Sequence, residues 1–88
     1  MPNIKTLTNS NFKVLSYFYD NKDKENLVKT TQDEVGKALE LNRSTVNYIL
    51  KCLKSEGYII HDDSRIGRYY LTEIGVKTVE LLRKVNKL

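Results

Sequence analysis

A chain of 88 residues leaves room for one compact domain around one modest core. With 40% hydrophobic and 30% charged residues it falls outside the composition of disordered segments. The formal net charge of +4 and an isoelectric point near 9.2 favour contact with a polyanion. A single cysteine, Cys52, excludes an internal disulfide framework and any zinc cluster built on cysteines. Met1-Pro2-Asn3-Ile4-Lys5 lacks the apolar stretch of a secretory leader, and no run approaches the roughly 20 apolar residues of a membrane span, so a cytosolic setting is expected.

After Thr8, the segment Asn9 to Tyr19 places Phe12, Leu15, Phe18 and Tyr19 three or four apart, a helical stripe capped by Thr8 or Asn9. Asp20 to Asn26 contains no apolar residue and ends that helix in a solvated loop. Leu27-Val28-Lys29 has the length of a short sheet-edge strand. Thr31-Gln32-Asp33-Glu34 has the spacing of a capping box, so a second helix opens there, with Val35, Ala38 and Leu39 as its apolar face. The pattern halts at Glu40-Leu41-Asn42. Asn42 is a good cap for a third helix, in which Val46, Ile49, Leu50 and Leu53 recur at i, i+3, i+4, i+7 until Gly57 stops it. Two short amphipathic helices joined by about three residues cannot lie antiparallel, and this connection matches a helix-turn-helix unit.

Beyond Gly57 the period changes. Tyr58-Ile59-Ile60-His61 and Arg68-Tyr69-Tyr70-Leu71 read as the strands of a hairpin, with Asp62 to Gly67 supplying the turn. Thr72 caps a last helix, whose stripe is expected at Ile74, Leu81, Val85 and Leu88, with Val79 and Leu82 on its flank. The expected fold is mainly α with a small β-hairpin wing, an α+β arrangement in the order helix, strand, helix, helix, strand, strand, helix. It forms one domain over residues 1–88, with 72–88 as the C-terminal helix.

The stretch from Thr31-Gln32-Asp33-Glu34-Val35-Gly36-Lys37-Ala38-Leu39 through Asn42-Arg43-Ser44-Thr45-Val46-Asn47-Tyr48-Ile49-Leu50-Lys51-Cys52-Leu53 resembles the two central helices of many bacterial and archaeal winged helix-turn-helix regulators. Gly57-Tyr58-Ile59-Ile60, followed by Tyr70-Leu71-Thr72-Glu73-Ile74-Gly75, is similar to the wing and wing exit of MarR-type and PadR-type regulators. The likeness spans nearly the whole chain and implies binding of double-stranded DNA. Two positions depart from the pattern. Gly36 stands where alanine is frequent, allowing close approach of a neighbour while weakening the helix by about 1 kcal/mol. Glu40 stands where glycine often takes a left-handed turn, so either Glu40 bears roughly 1–2 kcal/mol of strain or the turn differs.

If Val46, Ile49, Leu50 and Leu53 face the core, helical geometry sends Arg43, Ser44, Asn47, Tyr48 and Lys51 to the opposite side, with Thr45 near the helix start. Arginine can fork onto guanine, asparagine can bond adenine, and serine or threonine serves bases or phosphates. Lys51 and Lys54, with Thr31, Gln32 and Lys37 of the preceding helix, suit phosphates. Arg65 at the wing tip and Arg68 beside it resemble wing arginines that enter a minor groove. The plainer alternatives are Tyr48 packed on the wing and Arg65 free in solvent. Cys52 reads as a partly buried small hydrophobe, and His61, without a second histidine, as a strand-surface residue. Paired catalytic carboxylates, a nucleophile with its base and a glycine-rich phosphate loop are all missing from the sequence, so neither an enzyme nor a cofactor or metal is expected.

Leu81, Leu82, Val85 and Leu88 carry apolar character to the last residue, which a two-fold homodimer would cover; packing back onto Phe12, Leu15 and Phe18 is the alternative. The expectation is a homodimeric, sequence-specific double-stranded DNA-binding repressor. A centromere-binding adaptor of a plasmid or phage partition system, working with a second regulatory or motor protein, fits the same design. A winged-helix protein-interaction module is the rival from another class, disfavoured because Lys37, Arg43, Lys51 and Lys54 face only Glu40 in opposition between Lys37 and Lys54.

Overall fold

The structure, a computed structural model, describes residues 9–86. Thr8, one of the two candidate caps of the first helix, and Leu88, the end of the expected last stripe, lie outside them. The elements are α1 (Asn9–Asn21), β1 (Leu27–Lys29), α2 (Gln32–Leu39), α3 (Arg43–Ser55), β2 (Ile59–His61), β3 (Arg68–Leu71) and α4 (Glu73–Asn86), the order read from the sequence. The strands form one antiparallel sheet in the order β1-β3-β2. Val28 lies opposite Tyr69 on one side of β3, and His61 lies opposite Tyr69 on the other.

Local chemistry sets the helix ends. The Thr31 hydroxyl accepts the Glu34 amide at 3.2 Å, the expected first half of the capping box, while the Glu34 carboxylate accepts from that hydroxyl at 3.3 Å in place of the Thr31 amide. Asn42 caps α3 by accepting the Thr45 amide at 2.8 Å. At the other end of α3, Gly57 is left-handed (φ 83°); its amide donates to the Lys54 carbonyl and the Tyr58 amide to the Leu53 carbonyl, a Schellman closure. Thr72 then joins two elements. Its hydroxyl donates toward the carbonyls of Gly57 (2.7 Å) and Tyr58 (3.0 Å) and accepts the Gly75 amide that opens α4.

The turn between α2 and α3 resolves the two departures together. Glu40 is itself left-handed (φ 58°, ψ 43°), so a side chain occupies the conformation that glycine takes without strain. The Leu41 amide folds back onto the Gly36 carbonyl at 2.9 Å, and a Cβ on Gly36 would sit 2.7 Å from the Leu41 carbonyl oxygen. The glycine of this turn is thus needed one helical turn early, where the chain passes over α2.

Three expected faces are corrected by the packing. On α1 the fully buried residues are Val14, Leu15 and Phe18, while Phe12 is half-buried at the rim. On α2, Val35 is buried and Leu39 half-buried, but Ala38 is exposed. On α4 the side facing the core is Gly75, Thr78 and Val79, and the expected stripe is turned outward, with Ile74 46%, Leu81 53% and Val85 55% exposed. The reason is how closely α4 approaches the sheet: a Cβ on Gly75 would overlap the Tyr58 carbonyl oxygen and crowd the Leu71 side chain. Only small residues fit there. The stripe of α3 is buried as read, through Val46, Ile49, Leu50 and Leu53, which join Val28, Tyr58, Ile59, Tyr69 and Leu71 in one core.

Candidate nucleic-acid interface

Burial of Val46, Ile49, Leu50 and Leu53 leaves Arg43, Ser44, Tyr48 and Lys51 exposed and Thr45 and Asn47 half-buried on the outer side of α3. Each has a defined setting. The Ser44 hydroxyl donates to the Asn42 cap at 2.9 Å. The Arg43 guanidinium lies 3.9 Å from the Asp33 carboxylate; both are largely exposed, so the pair costs little to open. Asn47 Oδ1 accepts from Gln32 Nε2 at 3.3 Å, which ties α3 to α2 and leaves the Asn47 amide donors free for a further partner. Tyr48 is 67% exposed, and its hydrogen bond with Cys52 raises its phenol above the usual range.

The wing is braced rather than loose. The Asp62 carboxylate accepts from the Ser64 hydroxyl and amide, and those bonds, the hydroxyl's foremost, hold it below the usual carboxylate range. The Asp62 amide donates to the Arg68 carbonyl at 2.9 Å, closing the hairpin. Gly67 is left-handed (φ 75°), and its carbonyl accepts the Thr30 amide at 2.9 Å, so the turn is pinned beside the start of α2. This fixes where Arg65 and the 95% exposed Ile66 stand.

Two clefts result. One, of about 410 Å³, is lined by Thr31, Gln32, Asp33, Arg43, His61, Asp63, Arg65, Ile66, Gly67 and Tyr69, between the helix-turn-helix and the wing. The other, of about 210 Å³, is lined by Gln32, Asn47, Leu50, Lys51, Lys54, His61 and Tyr69. Seven of the residues read from the sequence, Thr31, Gln32, Arg43, Asn47, Lys51, Lys54 and Arg65, are therefore brought to one side of the molecule. Lys37 lies apart, along a shallow depression with Gly36, Glu40 and Leu41 that also reaches Gln32, Asp33 and Arg43. Arg68 pairs with Lys29, and strand alternation puts it on the sheet face opposite Tyr69. On α4, Leu81 and Val85 are exposed and Leu82 is half-buried.

Sequence reasoning read His61 as a strand-surface residue and gave Tyr69 and Ile66 no part in the site. The register that sets His61 beside Tyr69 is a tertiary fact with no local signature, whereas Asp62 followed by Ser64 is a turn signal that predicts a rigid wing tip. Among the described residues there is no cluster of three side chains able to hold a metal, and no helix long and apolar enough to cross a membrane.

A helix-turn-helix seated against a three-stranded sheet whose β2-β3 hairpin projects as a wing defines the winged helix-turn-helix class. The chain is similar to MepR, a transcription regulator of the Staphylococcus aureus multidrug efflux pump MepA: 27% identity and a TM-score of 0.76, over 93% of this chain and 59% of that one. In the S. aureus MepR–DNA complex the values are 27% and 0.72, over 91% and 64%. The chain thus spans about three fifths of the length of these neighbours. The reduced CO-sensing protein of R. rubrum shares the fold at 18% identity and a TM-score of 0.71, over 88% of this chain and 38% of that one. No family model and no curated protein matches the chain.

Proposed function

We propose that this chain is a double-stranded DNA-binding transcription regulator acting in the cytoplasm as a homodimeric repressor. The observation that carries the reading is the convergence of Arg43, Asn47, Lys51, Lys54 and Arg65, from the third helix and the wing, on one side of the fold. Likeness to MepR, solved as a DNA complex, supports it. Arg43 and Asn47, on the first turns of α3, take the base edges, with Ser44, Thr45 and Tyr48 alongside. Thr31, Gln32, Lys37, Lys51 and Lys54 hold phosphates and set register. Arg65 serves the flanking backbone and minor groove, while Arg68, on the opposite sheet face, takes no part in this reading. A second copy covers Leu81 and Val85, supplying the second half-site reader.

The test is binding to a random-sequence duplex at low salt, followed by selection of a preferred site from a random pool. Non-specific binding that weakens steeply with salt is expected. Arg43→Ala or Asn47→Ala should then relax preference at one base position by about 1–3 kcal/mol, while Lys54→Ala weakens all sequences alike. A folded chain that fails to bind at low salt overturns the reading.

A further inference from the structure

We infer that His61 is a phosphate-binding residue of this interface, its Nε2 edge meeting a DNA phosphate held between α3 and the wing. The inference rests on the DNA-binding reading above and adds to it a residue.

The position comes first. His61 lines both clefts, so its ring stands where the surface of the recognition helix meets that of the wing. It is also held. The ring stacks on Tyr69 with centroids 4.7 Å apart and planes at 25°, and Nδ1 lies 3.0 Å from the Asp63 carboxylate. Tyr69 is itself buried, so the platform is rigid. The imidazole retains 29% exposure, and Nε2 has no protein partner among the described residues.

The charges around it favour an anion. Lys51 and Lys54 come from α3 on one side, and Arg43 of α3 and Arg65 of the wing stand in the other cleft. The carboxylates are Asp33 of α2, already beside Arg43, and Asp63 of the wing. Four cations against two carboxylates make this a place for phosphate.

Nδ1 faces the Asp63 carboxylate, so Nε2 is the ring nitrogen left to meet a phosphate oxygen.

The experiment is fluorescence anisotropy of the full chain on a short random-sequence duplex at low salt. His61→Ala should bind several-fold more weakly than wild type, while His61→Lys, which keeps a phosphate donor at the position, should hold the affinity, which a merely structural role would not allow. Thermal melts of both variants check that the fold persists. A folded His61→Ala variant with wild-type affinity, or a folded His61→Lys variant as weak as His61→Ala, overturns this inference and leaves the DNA reading standing. A folded wild type that fails to bind overturns both.

Discussion

Helices α3 and α4 each carry an aliphatic stripe at helical spacing, yet the fold uses the two stripes in opposite ways. On α3, Val46, Ile49, Leu50 and Leu53 are buried to a few per cent exposure or less. On α4, Ile74, Leu81 and Val85 face outward while Gly75, Thr78 and Val79 meet the core. Periodicity shows that a helix has an apolar side; what covers that side depends on how close its neighbour can come. Helix α3 packs through bulky buried side chains, whereas α4 presses its backbone at Gly75 against the Tyr58 carbonyl and has no room for a side chain at that point. One stripe holds the fold together, and the other stays at the surface of the chain.

The largest effect that would break this contrast is on α3. Leu53→Ala removes a side chain at 1% exposure and should destabilise the chain by about 2–5 kcal/mol, measured by urea denaturation. A loss no larger than that of an exposed leucine would mean that the two stripes are equivalent. Next comes Gly75→Ala on the tight side of α4. Alanine gains about 1 kcal/mol of helix propensity over glycine. Its Cβ, however, meets the Tyr58 carbonyl, which is fixed by its bonds from the Thr72 amide and hydroxyl. Overpacking against backbone should win, for a net loss of about 1–3 kcal/mol. A stabilised Gly75→Ala variant would show that α4 stands farther from the sheet than described.

How much was legible follows the same division. Thr31, Asn42, Gly57 and Thr72 are local devices whose partners lie within a few residues, and each element boundary they mark was readable. The outer face of α3 was readable because one strongly periodic stripe determines its complement. What depends on distant partners was not. Val14 rather than Phe12 enters the core, Ala38 is exposed, and the stripe of α4 faces out, because other elements decide these outcomes. The β1-β3-β2 order, which seats His61 on Tyr69 and turns Arg68 away from it, is likewise a long-range pairing without a local mark.

Glu40→Gly probes the joint that aims α3, without touching either stripe. Glycine relieves roughly 1–2 kcal/mol of left-handed strain. It also adds unfolded-state freedom worth about 0.5–1 kcal/mol, so a net gain of about 0.5–1 kcal/mol is expected as a raised thermal midpoint. A lowered midpoint would mean that the Glu40 side chain contributes more than its backbone costs.

The smallest effect on the fold should come from Leu81→Ser, and it bears most directly on the exposed stripe. At 53% exposure in a single chain, Leu81 has little to lose on truncation, so a dilute sample should keep its stability within about 0.5 kcal/mol. The difference should appear with concentration. A second copy covering Leu81 and Val85 would make the wild-type thermal midpoint rise with protein concentration, since association stabilises the folded state by mass action. Leu81→Ser should abolish that rise and leave a monomer in sedimentation. In the proposed homodimer each half-site reader would depend on the other for its place on DNA, so the variant should also bind a selected two-half-site duplex more weakly while retaining non-specific binding at low salt. If wild type and variant sediment alike as monomers, the outward stripe of α4 is not a homodimer surface, and Arg43 and Asn47 read DNA from a single copy.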